Sequence, residues 1–128
     1  MMRNIAIRLL TVLIIVVGIA ACTSKPIYNV DSDSFGTPTA PLSVRADQIR
    51  RAALGLGWQV ENVGPGEMKC TLNLREHQAV VAINYTPTNY SIRYLSSANL
   101  DYTGTEIHRN YNGWVQNLEK QIRIQSSI

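Results

Sequence analysis

An α+β fold is predicted for the larger, C-terminal part of this 128-residue chain. Apolar residues recur at helical spacing in two segments and at every second position in four segments between them. Turn sequences separate those four. The expected order is α-β-β-β-β-α: a four-stranded antiparallel meander with one helix before it and one after, both packed on one face.

Ser43 stands before Val44-Arg45-Ala46-Asp47 as a helix N-cap, and Ile49, Ala52, Ala53 and Leu56 follow at three- and four-residue steps. Asp47 and Arg51, four apart, fall on the wet side. Gly55 and Gly57 supply the stop. From Trp58 the period changes to two. Trp58 and Val60 alternate; after a Gly64-Pro65-Gly66 turn, Met68, Cys70, Leu72 and Leu74 share one face while Lys69, Thr71, Asn73 and Arg75 take the other. A turn at Glu76-His77-Gln78 leads into a strand over Ala79 to Tyr85, and Thr86-Pro87-Thr88-Asn89 leads into a fourth through Tyr90, Ile92 and Tyr94.

Asn99 to Tyr102 then connects to Thr103-Gly104-Thr105-Glu106, which has the spacing of a capping box. A second helix is expected from there, with Ile107, Tyr111, Trp114, Val115, Leu118 and Ile122 forming its apolar stripe. The predicted core comprises Met68, Leu72, Leu74, Ile83, Ile92, Leu118 and both tryptophans. Gly113 sits opposite the stripe, at a cost of about 1 kcal/mol relative to alanine. Close approach of another segment at that point would account for it, and so would simple tolerance.

The N-terminus carries a different signal. Arg3 and Arg8, an apolar run from Leu9 to Gly18 and then Ile19-Ala20-Ala21-Cys22 read as a cleaved export signal ending in a lipobox. Cys22 is the expected lipidation site, and burial of its acyl methylenes at about 0.8 kcal/mol each makes the anchor nearly permanent. A retained span would need about 20 apolar residues, more than the dozen or so present. Lipoproteins of Gram-negative bacteria that stay at the inner membrane usually carry aspartate after the cysteine. Thr23 stands there, so the periplasmic face of the outer membrane is expected. Residues 1–21 are thus the signal peptide, 22–42 the lipidated cysteine and a flexible tether, and 43–128 one small domain. The tether reading rests on Ser, Thr and Asp content and on Pro26, Pro38 and Pro41; as a coil it would span roughly 25 Å. Ile27-Tyr28-Asn29-Val30 is more apolar than a linker requires, and docking on the domain and disorder both remain open for it.

Twelve Lys and Arg face nine Asp and Glu. Loss of Arg3 and Arg8 with the signal leaves ten against nine, too even a balance for nucleic-acid binding. With Cys22 acylated only Cys70 remains, so an internal disulfide is excluded and the domain must be stabilised by its core.

Gly64-Pro65-Gly66, Arg75 with His77, Asn99-Leu100-Asp101-Tyr102 and Ile107-His108-Arg109-Asn110-Tyr111-Asn112-Gly113-Trp114 occur in this order. In these segments, and in the lipobox, the chain resembles a family of small Gram-negative lipoproteins, over roughly Trp58 to Ile122. The resemblance implies an envelope location and brings no catalytic residues with it.

Cys70 shares its strand face with apolar residues and is expected to be buried and inert. His108, Asn112 and Glu119 fall on one flank of the second helix, where hydrogen bonds closing the Asn99 to Tyr102 segment compete with a ligand-contacting role. His77 is expected in a solvated turn. Two separated histidines without H-x-x-x-H spacing or a cysteine partner are a weak metal signal, and no cofactor is called for. The open sheet face, with Lys69, Thr71, Asn73, Arg75, Asn84 and Arg93, is either simply solvated or a shallow site for an acidic partner. Lys69, Arg75, Arg93, His77, His108 and Asn112 are therefore the binding candidates, with an envelope protein or an anionic glycan or lipid as partner. The expected function is a membrane-anchored, non-catalytic binding or scaffolding module. The alternative is a small envelope hydrolase using His108 or His77 as general base; a His108 packed under Asn99 to Asp101 argues for the first, and one lining a cleft with a carboxylate argues for the second.

Overall fold

The computed structural model describes residues 23–128. Cys22 and the export signal lie outside the described residues. In chain order the elements are β1 (Ser24–Pro26), β2 (Val30–Ser34), α1 (Leu42–Gly55), β3 (Gln59–Gly64), β4 (Glu67–Leu74), β5 (His77–Tyr85), β6 (Asn89–Ala98), β7 (Glu106–His108) and α2 (Arg109–Gln125). The fold is α+β, with two helices and antiparallel strands.

The alternating segments form the expected meander, β3 to β6, each strand antiparallel to the next. The main sheet nevertheless has five strands, ordered β2-β6-β5-β4-β3. The additional strand comes from residues expected to be a tether. Val30 is buried opposite Ile92, and β2 covers the edge of β6, whose backbone groups would otherwise lack partners. β1 pairs with β7 in a separate two-stranded sheet, Ser24 opposite His108 and Pro26 opposite Glu106. The proline content of 23–42 does not prevent this pairing, because β1 is an edge strand with Pro26 at its end.

Both helix starts differ from expectation. α1 begins after Pro41, whose carbonyl accepts from Val44 N and Arg45 N at 3.0 Å; no side chain caps it, and Ser43 lies within the helix. Proline sets its own φ near the helical value, here −54°, and so opens the helix without a hydroxyl cap. Thr103 Oγ1 does accept from Glu106 N at 3.0 Å, as in half a capping box. The chain there turns into β7, and α2 starts only at Arg109, capped by His108.

Ile49, Ala52 and Ala53 of α1 and Tyr111, Val115, Leu118 and Ile122 of α2 join Met68, Cys70, Leu72, Val81, Ile83 and Ile92 of the sheet in one core. Trp58 is buried and Trp114 half-buried at the core margin. Leu74 was expected inside but is 45% exposed, because β4 ends there and the chain reverses at Arg75, whose φ is +56°. Asp47 pairs with Arg50 at 3.5 Å and not with Arg51, which reaches Gln125. Gly66 is required at its turn: its φ is +72°, and a Cβ would lie 2.6 Å from the Tyr85 carbonyl oxygen.

Arg45 is fully buried without a carboxylate. Its guanidinium donates to Pro87 O, Thr37 O, Thr37 Oγ1 and Gln48 Oε1 and lies 4.0 Å over the Phe35 ring. Neutral acceptors and the aromatic face together replace its hydration, fastening the 35–40 loop to the β5–β6 turn.

Candidate functional site

The binding candidates separate into three places. Lys69 on β4 and Arg93 on β6 share the outward sheet face, each opposite Ala82 of β5 in its own strand pair. The face is of mixed charge: Lys69 is opposite Glu61 of β3, and Arg93 lies 3.5 Å from Asp31 of β2. Asp31 lies in the segment whose composition reads as a tether, so composition alone does not announce its partial neutralisation of this face. Arg75, expected on this face, sits instead in the β4–β5 turn at one end of the sheet.

His77 and His108 come together at that same end. His77 opens β5 and is not in a turn; its Nδ1 donates to Asn99 O at 2.7 Å. His108 Nδ1 accepts from Asn110 N at 3.2 Å and caps α2, while its backbone N donates to Leu100 O at 2.8 Å. The rings stack at 6.4 Å, and Trp114 lies 6.2 Å from His77. His77 Nδ1 presents a hydrogen to a carbonyl, whereas His108 Nδ1 presents its lone pair to a backbone amide. His108 thus packs beside the Asn99 to Asp101 segment, and Asn99 Nδ2 reaches Glu76 O. Among the described residues no group of three or more His, Cys, Asp or Glu is placed to hold a metal ion.

Asn112 belongs to a third arrangement, which sequence reasoning missed. Its Oδ1 accepts from Tyr28 N and its Nδ2 donates to Pro26 O, both at 2.9 Å. Two turns of helix further on, the pattern continues with Tyr28 OH donating to Glu119 Oε1 at 2.6 Å. Asp33 accepts from Arg123 Nη2 at 3.0 Å and from Tyr90 OH at 3.3 Å. The flank of α2 that was expected to close the Asn99 to Tyr102 loop therefore holds the N-terminal arm. Burial, then the neighbouring Asp33, raises the Glu119 carboxyl. Burial would raise Asp33 too, but hydrogen bonds from Glu119 and Ser34 N and the Arg123 charge outweigh it and hold Asp33 below its ordinary value. Glu119 is accordingly the first of the pair to take up a proton on acidification. The hydrogen bond to Glu119, with burial, pushes the Tyr28 hydroxyl up to about 12. The available sequence signal was the apolar character of Ile27 to Val30; nothing in the spacing matched Asp33 to Arg123.

Cys70 is buried as expected, and burial pushes its thiol up to about 12. Among the described residues nothing outside the helix's own backbone lies within 4 Å of a Cβ built on Gly113. A shallow cavity of about 250 Å³, smaller than most ligand sites, opens beside Asp31, Gly66, Asn84, Tyr85 and Asn89, at the end of the sheet away from the histidines. A smaller one of about 50 Å³ lies between Leu56, Trp58, Leu72, Trp114 and Asn117. In comparisons with known proteins, no family model, no curated protein and no solved structure matches this chain.

Proposed function

We propose that the chain is a lipid-anchored protein of the Gram-negative envelope, exported by residues 1–21, acylated on Cys22 and held at the periplasmic face of the outer membrane. There its domain acts as a non-catalytic binding or scaffolding module. The observation that carries this reading is the lipobox Ile19-Ala20-Ala21-Cys22 behind Arg3, Arg8 and a short apolar run. Its position gives support: cleavage before Cys22 leaves the whole of β1, from Ser24, in the mature chain. Among the described residues no helix is long and apolar enough to cross a membrane; the proposed means of attachment is lipid on Cys22. The resemblance to small Gram-negative lipoproteins points to the same compartment.

The binding reading is supported by how the reactive side chains are engaged. Cys70 is buried, both histidines use Nδ1 on backbone groups, and Glu119 holds Tyr28. With both helices taken to pack on one face of the sheet, the face carrying Lys69, Thr71, Asn84 and Arg93 is left open. Its mixed charge suits the polar surface of another envelope protein better than a densely anionic ligand. Labelled palmitate and membrane fractionation test the anchor: wild type incorporates label and sediments with outer membranes, and Cys22→Ser does neither. In-cell crosslinking then compares wild type with a Lys69→Ala/Arg93→Ala variant. A specific envelope protein captured only by wild type supports the module, and equal capture by both rules out the sheet face.

A further inference from the structure

We propose that the acylated Cys22 mounts the domain directly on the membrane surface in a fixed orientation. The end formed by β1, β7 and the Arg75-Glu76 turn rests on the lipid head groups, and the Gly66 end faces away. This rests on the acylation proposed above. The leash is one peptide unit long: Thr23 O accepts from Arg109 N at 2.8 Å, and Ser24 is already paired with His108. Consecutive Cα atoms are about 3.8 Å apart, so the lipid cannot leave the folded surface, whereas a twenty-residue coil would allow roughly 25 Å. Further along, the arm is gripped by the Asn112 amide at Pro26 and Tyr28 and by Glu119 at the Tyr28 hydroxyl. A pull on Cys22 is therefore borne by the whole of α2 and not by slack chain.

The contacts also define which end is down. His108 N to Leu100 O, Asn99 Nδ2 to Glu76 O and the stacked histidines bring the start of α2, the 99–105 connection and the β4–β5 turn together beside Thr23. Tyr85 N to Gly66 O, Ala40 N to Pro87 O and Gly36 N to Ser126 Oγ mark the opposite end. The nine residues of β5 run from one to the other, roughly 30 Å at the usual strand rise. The lower end is chemically suited to head groups: Lys25, Arg75 and Arg109 alternate there with Glu76, Asp101 and Glu106, all exposed, matching a layer that presents both phosphate and amine. Tyr102, 42% exposed, adds an amphipathic ring of the kind enriched at membrane interfaces. The cavity beside Gly66 is then held well clear of the bilayer and open to the periplasm.

The test uses the full chain, expressed with its signal and purified in acylated form. Cys22 is consumed by lipid and Cys70 is buried, so a fluorophore on Glu76→Cys or on Thr88→Cys reports one position each. The protein is placed in vesicles of phosphatidylethanolamine and phosphatidylglycerol carrying a head-group acceptor dye, and mass spectrometry confirms the acyl chains. Strong energy transfer from position 76 and weak transfer from position 88 is expected. That contrast should be lost when about ten Gly and Ser residues, a coil of roughly 17 Å, are inserted between Cys22 and Thr23. Equal transfer from both positions in acylated protein of natural spacing overturns the mount and leaves the anchor standing. Absence of acyl mass on Cys22 overturns the anchor, and the mount with it.

Discussion

The core between α1, α2 and β3–β6 and the arm of β1 and β2 are held by opposite means. In the core, fully buried Ile49, Met68, Ile83, Ile92, Leu118 and Ile122 pack against one another, and burial of each is worth about 1.5 to 3 kcal/mol. The arm contributes Val30 to that core and pairs by backbone with β7 and β6, but its side-chain attachments are single polar groups: Asn112, Glu119, Asp33 and Arg123. A core contact is one of many and its loss is shared. An arm contact is alone at its position, so its loss frees a segment. The arm should therefore open well below the free energy of global unfolding, although it is the part that would carry the load of a membrane anchor.

The largest effect should come from the core. Leu118→Ala is expected to lower global stability by about 2 to 5 kcal/mol, read by urea denaturation, and Trp114→Ala by less, because that ring is only half-buried. Asn112→Ala removes two hydrogen bonds and should cost about 1 to 2 kcal/mol, with a different signature: amide exchange of Ile27 and Tyr28 accelerates while Val81 and Ile83 in β5 keep their protection. Uniform acceleration would erase the distinction between the regions, as would an Asn112→Ala penalty as large as that of Leu118→Ala.

Two substitutions should act in the stabilising direction. Among the described residues the Tyr111 hydroxyl is the one buried side-chain polar atom without a hydrogen-bond partner; its ring meets that of Tyr94 in a T-shaped contact, and Tyr94 stacks on Tyr102. Tyr111→Phe should raise stability by about 1 kcal/mol. Gly113→Ala should give a similar gain of about 1 kcal/mol, since the added methyl meets nothing and the helix gains propensity. A loss in the Gly113 variant would show that something approaches α2 there.

The same contrast accounts for what could be read from the sequence. Core positions announce themselves by repetition: Met68, Cys70 and Leu72 alternate, and Val115, Leu118 and Ile122 recur along a helix, so both periods were legible. Leu74 continued the alternation but lies at the last residue of β4, and period alone does not report where a strand ends. The arm has no period. Tyr28, Asp33, Glu119 and Arg123 meet across about ninety residues of chain, and each reads as an ordinary solvated side chain in isolation. Composition favoured a tether for the same reason, since Ser, Thr, Asp and Pro describe a linker and an edge strand equally well. Bringing His77 and His108 together required the Asn99 to Asp101 turn, with φ of +57° at Asn99 and +53° at Asp101, a conformation whose local preference in Asn and Asp is real but weak.

The smallest effect sharpens the comparison most, because it isolates the arm by its charge. The Glu119 carboxyl is raised from its ordinary 4.5, chiefly by burial and then by Asp33. Just above that value the folded state holds a proton that the unfolded chain has released, so Glu119 makes stability fall as pH rises toward neutrality. Asp33 acts in the opposite sense. It is held below its ordinary 3.8 in the folded state, so its contribution is complete above that value and is lost as the solution is acidified through it. Glu119→Gln keeps an oxygen for the Tyr28 hydroxyl and a donor toward Asp33, yet cannot titrate. The advantage of the variant over wild type should therefore be small near pH 4.5 and grow toward pH 7, while the acid loss governed by Asp33 persists in both proteins. Urea denaturation across that range, followed together with amide exchange at Tyr28, gives the comparison. A difference independent of pH would mean that folding does not shift the Glu119 carboxyl, so that its contact with Tyr28 holds the arm equally with and without its proton.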